Sequence, residues 1–372
     1  MSGPRQPLLV AGSGTQWDDA LRIADALEGR ARVLHLGRLD VGPAPPPGTP
    51  YGGTHWPEQG VRATAALLHG LRDEVACSSA VVLGQDAGRM TRIVARAARR
   101  TSRPVTVVPD GALFVGAPSL RVRERLEERA LLASGLSTGR PLEFGSTHPD
   151  LWCAWGPGWE PMLRTFSPRG RVVVTGSPRA ADLATVPTAP GRGRVLVCSQ
   201  PTWVHPFPPS ATAGPRWYRW LEHVVATAAD SVTVRLHPRE REEIDALPLG
   251  PATRAVVTPP GPLADDLAGA DVVVAPFSTV LLEAAAAGRT VVSVVPERAC
   301  VGVRTMSPAM ADARLRVLVV DEVASVAALV ELAEPLNSAG WGEDFCVVDR
   351  AAPARCAQAL LDLAPASASV RA

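Results

Sequence analysis

The stretch DVVVAPFSTVLLEAAAAGRTVVSVV, Asp271 to Val295, decides the fold. A fully apolar strand runs to Phe277, Ser278 and Thr279 stand at the turn, an Ala-rich helix follows, Gly288 stops it, and a second apolar strand begins. Strands without a polar face belong in a parallel sheet covered by helices on both sides. A Ser/Thr pair at a strand-to-helix turn is a helix N-cap, and the free backbone N–H groups of that first turn suit an anion such as phosphate. Glu283, one turn further on, is either a carboxylate that bridges two ribose hydroxyls or an ordinary solvated acid.

The same alternation extends in both directions, which predicts βαβ units throughout. Upstream in this half lie RVLVCSQ (194–200), a helix around RWYRWLEHVVATAA, SVTVRLHP (231–238) and RAVVTPP (254–260); downstream lies RVLVVD (316–321). The first half offers PLLVAG (7–12), ARVLHLG (31–37), SAVVLGQ (79–85), VTVVPDG (105–111) and RVVVTG (171–176) as strands, with DDALRIADALEG and GRMTRIVARAARR as helices. Between the halves TVPTAPGRG (185–193) reads as a linker. The Pro-rich runs at 40–50 and 201–215 read as long loops. The domain expectation is thus residues 1–185, residues 186–346, and a final segment 347–372 that forms an amphipathic helix and a disordered tail, the helix packing back on the first domain. A chain of 372 residues exceeds the usual single-core limit of about 250–300 residues, which also argues for two lobes.

Composition removes several function classes. Its 38 basic side chains are all Arg, against 37 acids, giving net charge +1, so the bulk charge points to neither nucleic acid nor an anionic membrane. The absence of Lys excludes a Schiff base and a phosphate-loop lysine. Six cysteines contain no C-x-x-C pair, which suggests reduced thiols and no metal site. No apolar run approaches the 18 residues of a membrane span, and the N-terminus lacks a signal peptide pattern, so a cytoplasmic protein is expected, with peripheral membrane contact at most. Nine Trp against two Tyr is unusual, and core filling is a better reading for most of them than sugar stacking.

A second anion-directed element precedes the opening stretch. In SVTVRLHPRERE a strand ends at Leu236, and Pro238 holds His237 extended. His237 either stabilises charge on a departing phosphate or simply caps the strand; Arg235 and Arg239 flank it and add to that positive field, Arg235 as a further donor-binding residue. Asp110, in VVPDG, is either an acid at the strand end or a Pro-Asp-Gly turn residue. Asp86 and Asp18 are rival strand-end carboxylates. VAGSGTQW (10–17) is a Gly-rich turn without the full dinucleotide spacing.

In their order, VRLHPRE and then PLADDLAGADVVVAPFSTVLLEAAAAGRTVVSV resemble the C-terminal domain of GT-B glycosyltransferases of bacterial surface-carbohydrate assembly. The resemblance is to sialyltransferases and polysialyltransferases with an HP motif, and to CDP-glycerol glycerophosphotransferases. It covers roughly Ala80 to Val319, including VVLGQDAGRMTRIVARAARRTSRPVTVVPDGAL and the pre-linker stretch LWCAWGPGWEPMLRTFSPRGRVVVTGSPRAADL. It implies an α/β GT-B fold, two Rossmann-like parallel-sheet domains facing a central cleft. It further implies a metal-independent, inverting transfer from a nucleotide sugar to a hydroxyl acceptor (glycan, lipid-linked sugar or small natural product), with no cofactor. A CMP-sugar is favoured, with CDP and UDP donors open. Carried over, His237 with Pro238 is the HP motif on the donor phosphate, Ser278 and Thr279 are the Ser/Thr pair on that phosphate, and Asp110-Gly111 is the acid-Gly turn that supplies the general base. Pro109 departs from the family pattern, which has a second acid there. Ser13, Gly14 and Thr15 fall where this fold meets its acceptor. The alternatives are a sugar-nucleotide 2-epimerase of the same fold, which needs paired acid/base groups around the sugar carbon, and a noncatalytic sugar-nucleotide-binding partner.

Overall fold

The computed structural model describes residues 5–12, 14–36, 51–53, 61–86, 89–111, 122–135, 145–187, 189–191, 193–200, 213–301, 307–333 and 338–363. The chain forms two compact units, Met1–Ala181 with Arg350–Ala372, and Asp182–Asp349.

In the first unit the strands are β1 (Leu8–Ala11), β2 (Arg32–His35), β3 (Tyr51–Gly53), β4 (Val81–Leu83), β5 (Val105–Val107), β6 (Leu151–Ala154) and β7 (Arg171–Val174). They form one parallel sheet in the order β3-β2-β1-β4-β5-β6-β7. This is the doubly wound order, reversing direction between β1 and β4, where such sheets take their ligands. The helix Gly14–Ala26 buries Trp17, Ala20, Ile23 and Ala24 on one flank of this sheet. The helix Ala352–Leu363 lies on the same core through Cys356, Ala357, Ala359 and Leu360, so the end of the chain belongs to this unit. Arg355 Nε fastens it to the Thr175 carbonyl at 2.9 Å.

The second unit contains β8 (Val195–Cys198), β9 (Val232–Arg235), β10 (Val272–Ala275), β11 (Thr290–Val295) and β12 (Arg316–Val319), parallel in the order β12-β11-β10-β8-β9. The reversal here falls between β8 and β10. The helix Thr279–Ala286 ends in a Schellman motif: Gly288 has φ +77°, its N–H donates to Ala285 O at 2.9 Å, and Arg289 N–H donates to Ala284 O at 2.9 Å. The Ala run of this helix allows the helix Ser338–Phe345 to come very close. A Cβ on Gly342 would stand 2.4 Å from the Ala286 nitrogen, so only glycine fits.

One strand reading is corrected, and two strands appear that the sequence did not announce. RAVVTPP is not a strand: Gly250 and Pro251 start the helix Pro251–Ala255, leaving one bridge, Val234 to Val257. Pro259 and Pro260 lack the N–H groups that would continue the ladder. LWCA (151–154), read only as a pre-linker stretch, is the fully buried strand β6. Tyr51–Gly53, directly after the Pro-rich run, is the edge strand β3. The segment read as a linker belongs to the second unit, where Asp271 accepts from Gly191 N at 2.6 Å and Arg194 N at 2.9 Å. The tail beyond residue 363 lies outside the described residues, as do the Pro-rich loops at 40–50 and 201–212. Among the described residues no helix is long and apolar enough to cross a membrane. The six cysteines form no disulfide, and Trp152, Trp155, Trp159, Trp217 and Trp220 are buried.

Candidate functional site

At the carboxyl edge of the second sheet, β9 leads through Leu236 to His237, β8 to Ser199 and Gln200, and β10 to Ser278. All three turns therefore open on one edge, with β8 between the other two. Neighbouring strands lie about 4.8 Å apart, so the turns of β9 and β10 are separated by about 10 Å. Ser278 is the N-cap of helix Thr279–Ala286, its Oγ accepting from Val280 N at 3.3 Å. Glu283 is buried, so it is not a solvated surface acid. Pro238 opens a short helix to Glu242, and its missing N–H is harmless at that first position.

Arg235 stands apart from the anion-binding role expected of it. Its guanidinium is ion-paired to Asp266, and Nη2 donates to the Gly261 carbonyl at 2.8 Å. It braces the loop before the helix Leu263–Ala268. The Arg239 side chain lies outside the described residues.

At the carboxyl edge of the first sheet, the residue missed in the sequence is Gln16. It is buried, its Oε1 accepts from Gly12 N at 2.8 Å, and its Nε2 donates to Asp110 Oδ2 at 2.7 Å. The side chain thus links the turn after β1 to the turn after β5, passing the end of β4. Gly84 makes room for it, because a Cβ there would lie 2.4 Å from Gln16 Cγ. Arg179 donates from Nη1 to the Asp110 carbonyl at 2.7 Å, stacks 5.0 Å over the Trp155 ring, and gives its backbone N–H to Asp19 Oδ1 at 2.9 Å. Asp110 is half-buried; burial pushes its carboxyl up, against the lowering effect of the Gln16 hydrogen bond and the Arg179 charge. It is a carboxylate that is oriented and made more basic than usual.

The rival acids differ. Asp86 is fully buried and accepts from Gly145 N, from Thr147 Oγ1 and, at 3.0 Å, from Thr147 N. It pins the turn before β6, and burial raises its carboxyl despite those bonds. Asp18 projects from the exposed face of its helix, raised by partial burial and countered by Arg22 and Arg179. Gly14 and Thr15 form the first turn of that helix, Thr15 exposed, whereas Ser13 lies outside the described residues. Among the described residues no group of three or more His, Cys, Asp or Glu could hold a metal ion.

No family model and no curated protein matches the chain. Solved structures do. A putative UDP-N-acetylglucosamine 2-epimerase from Listeria monocytogenes is 14% identical, with 96% of each chain covered and a TM-score of 0.60. The wall teichoic acid polymerase TagF is 11% identical over 96% of this chain and 88% of that one, at 0.55. MurG from Acinetobacter baumannii is 14% identical over 96% of this chain and 100% of that one, at 0.51. With both doubly wound sheets in hand, these likenesses identify the architecture.

The chain has the GT-B fold.

In GT-B terms the second sheet corresponds to the C-terminal Rossmann-like domain and the first to the N-terminal one. The carboxyl edges that carry His237, Ser278 and Asp110 are the ligand-binding edges of doubly wound sheets.

Proposed function

We propose that this GT-B chain is a metal-independent, inverting glycosyltransferase that moves a sugar from a nucleotide-activated donor to a hydroxyl acceptor. A CMP-linked donor comes first and CDP- or UDP-linked donors second; the acceptor is a glycan, a lipid-linked sugar or a small natural product. The observation that carries this reading is the edge of the second sheet, which presents the His237-Pro238 turn and the capped N-terminus at Ser278 and Thr279 together, with Glu283 buried one turn in. His237 and the helix N–H groups stabilise the charge that develops on the departing phosphate as the bond to the anomeric carbon breaks, and Glu283 takes the ribose hydroxyls. In the first unit, Asp110 takes the proton of the acceptor hydroxyl as its oxygen attacks from the opposite face. A carboxylate raised by burial is the better base near neutral pH.

Epimerisation needs two acid/base groups around one sugar carbon. Asp86, the nearest rival to Asp110 in sequence terms, spends its oxygens on Gly145 and Thr147, which favours transfer.

The test is thermal unfolding with CMP, CDP, UMP, UDP, GDP and ADP, since a ligand of the folded state alone raises stability as ln(1 + [L]/Kd). A selective shift with a cytidine or uridine nucleotide, reduced by His237→Ala at an unchanged apo melting temperature, is expected. No shift with any of the six would overturn the reading, and nucleotide binding without turnover, with Asp110, Asp86 and Asp18 all dispensable, would leave a noncatalytic binding partner.

A further inference from the structure

Glu240 has no role in the transfer chemistry, yet it is the fully buried acid of the second unit's carboxyl edge. Its Oε2 accepts from His237 N at 3.0 Å. Its Oε1 accepts from Tyr218 Oη at 2.7 Å and from Ser199 Oγ at 2.9 Å, and Ser199 Oγ accepts in turn from Trp217 Nε1 at 3.1 Å. The carboxylate therefore joins the end of β8, the helix Ala213–Ala228 and the turn after β9.

This pattern has a specific logic. The residue before a helix normally caps it with its own side chain, and the acid at the third helical position reaches back to that residue's N–H. His237 holds the cap position here, Glu240 supplies the backward bond of the box, and Glu240 N–H returns a bond to His237 O at 2.9 Å. An apolar residue would fill the same space without the cost of desolvating a carboxylate. A carboxylate only accepts, and three donors converge on it.

We propose that Glu240 is a positioning residue, whose carboxylate grips the His237 backbone and sets the imidazole for the donor phosphate. This rests on the reading of His237 given above. The consequence is that Tyr218, Trp217 and Ser199 act on the ligand edge through Glu240.

The experiment is amide hydrogen exchange at His237 in wild type, Glu240→Ala and Glu240→Gln, with β10 amides as the internal reference. Glu240→Ala is expected to speed His237 exchange by about 10–100-fold, the worth of one hydrogen bond to a buried acceptor, and to leave β10 unchanged. Glu240→Gln restores protection, because its amide oxygen accepts from His237 while its NH₂ donates to the two hydroxyl oxygens. Unchanged exchange in Glu240→Ala overturns the proposal. If that variant does not fold, Tyr218→Phe serves instead: a several-fold rise at His237 supports the proposal and no rise overturns it. A calorimetric cycle with CDP and UDP then asks whether Glu240 acts through His237. Glu240→Ala is expected to weaken binding alone and to add nothing in the His237→Ala background; additive losses overturn the proposal. If His237→Ala binds both nucleotides as wild type does, the phosphate reading falls, and the exchange result still decides whether Glu240 fixes the loop.

Discussion

The two sheets present equivalent edges built in different ways. At the second, short-range bonds fix the ligand groups: Ser278 caps its own helix, and Glu240 grips a residue three positions away. At the first, Asp110 depends on Gln16, 94 residues distant in sequence, and on the clearance that Gly84 provides. On the transferase reading proposed above, a phosphate presents the same charge whatever the sugar, so a rigid edge would suit the donor side. On the same reading Asp110 would have to be aimed, and the long side chain of Gln16, crossing strand ends, would do the aiming.

The largest effects should come from separating the two aspartates that the sequence could not rank. Asp110→Asn keeps an oxygen for the Gln16 amide and loses the base, so turnover should fall by about 10²–10⁴-fold with little change in melting temperature. Asp86→Ala leaves three buried donors without an acceptor and should instead lower stability by about 1–3 kcal/mol or more. Steady-state kinetics and thermal melts on both variants decide the matter. An active Asp110→Asn beside a stable, inactive Asp86→Ala would exchange their roles.

Gly84→Ala is the intermediate case and probes the aiming itself. The new methyl meets Gln16 Cγ and Cβ in a buried site, so overpacking should cost about 1–3 kcal/mol. Adding Gln16→Ala should return the stability in denaturant melts and leave activity low, because Asp110 has then lost its orienting amide. Recovery of activity in the double variant would show that Gln16 merely fills space.

The strand alternation made the two-sheet plan legible, and the Ser-Thr turn gave the helix cap correctly, because both depend on residues within one turn of each other. Strand β6 was hidden because its four residues, two of them Trp and Cys, lack the β-branched signature that marks its neighbours. RAVVTPP carried that signature, yet the helix started by Gly250 and Pro251 takes its first two residues and only Val257 keeps a bridge. Arg235 sits beside His237 in sequence, but its partner Asp266 lies 31 residues on. Gln16, Gly84 and Arg179 left no local mark: each acts through a residue far from it in sequence. Glu240 was visible as the acid of HPRE, but nothing within that run of charge marks it as buried.

The smallest expected effect compares the two edges by protonation. Burial raises the carboxyls of Asp110 in the first unit and Glu240 in the second above the ordinary carboxylate range of about 4. A raised acid holds its proton to higher pH when folded than when unfolded, so the folded chain binds the extra protons. Its contribution to stability is therefore fullest below the unfolded value, and it declines as pH rises from there through the folded value. The difference between wild type and a neutral variant isolates one group. Glu240→Gln and Asp110→Asn should each gain on wild type in denaturant melts as pH rises from about 4. A variant that instead loses ground as pH rises would mean that hydrogen bonds outweigh burial at that site, and that its carboxylate is held as a stable anion.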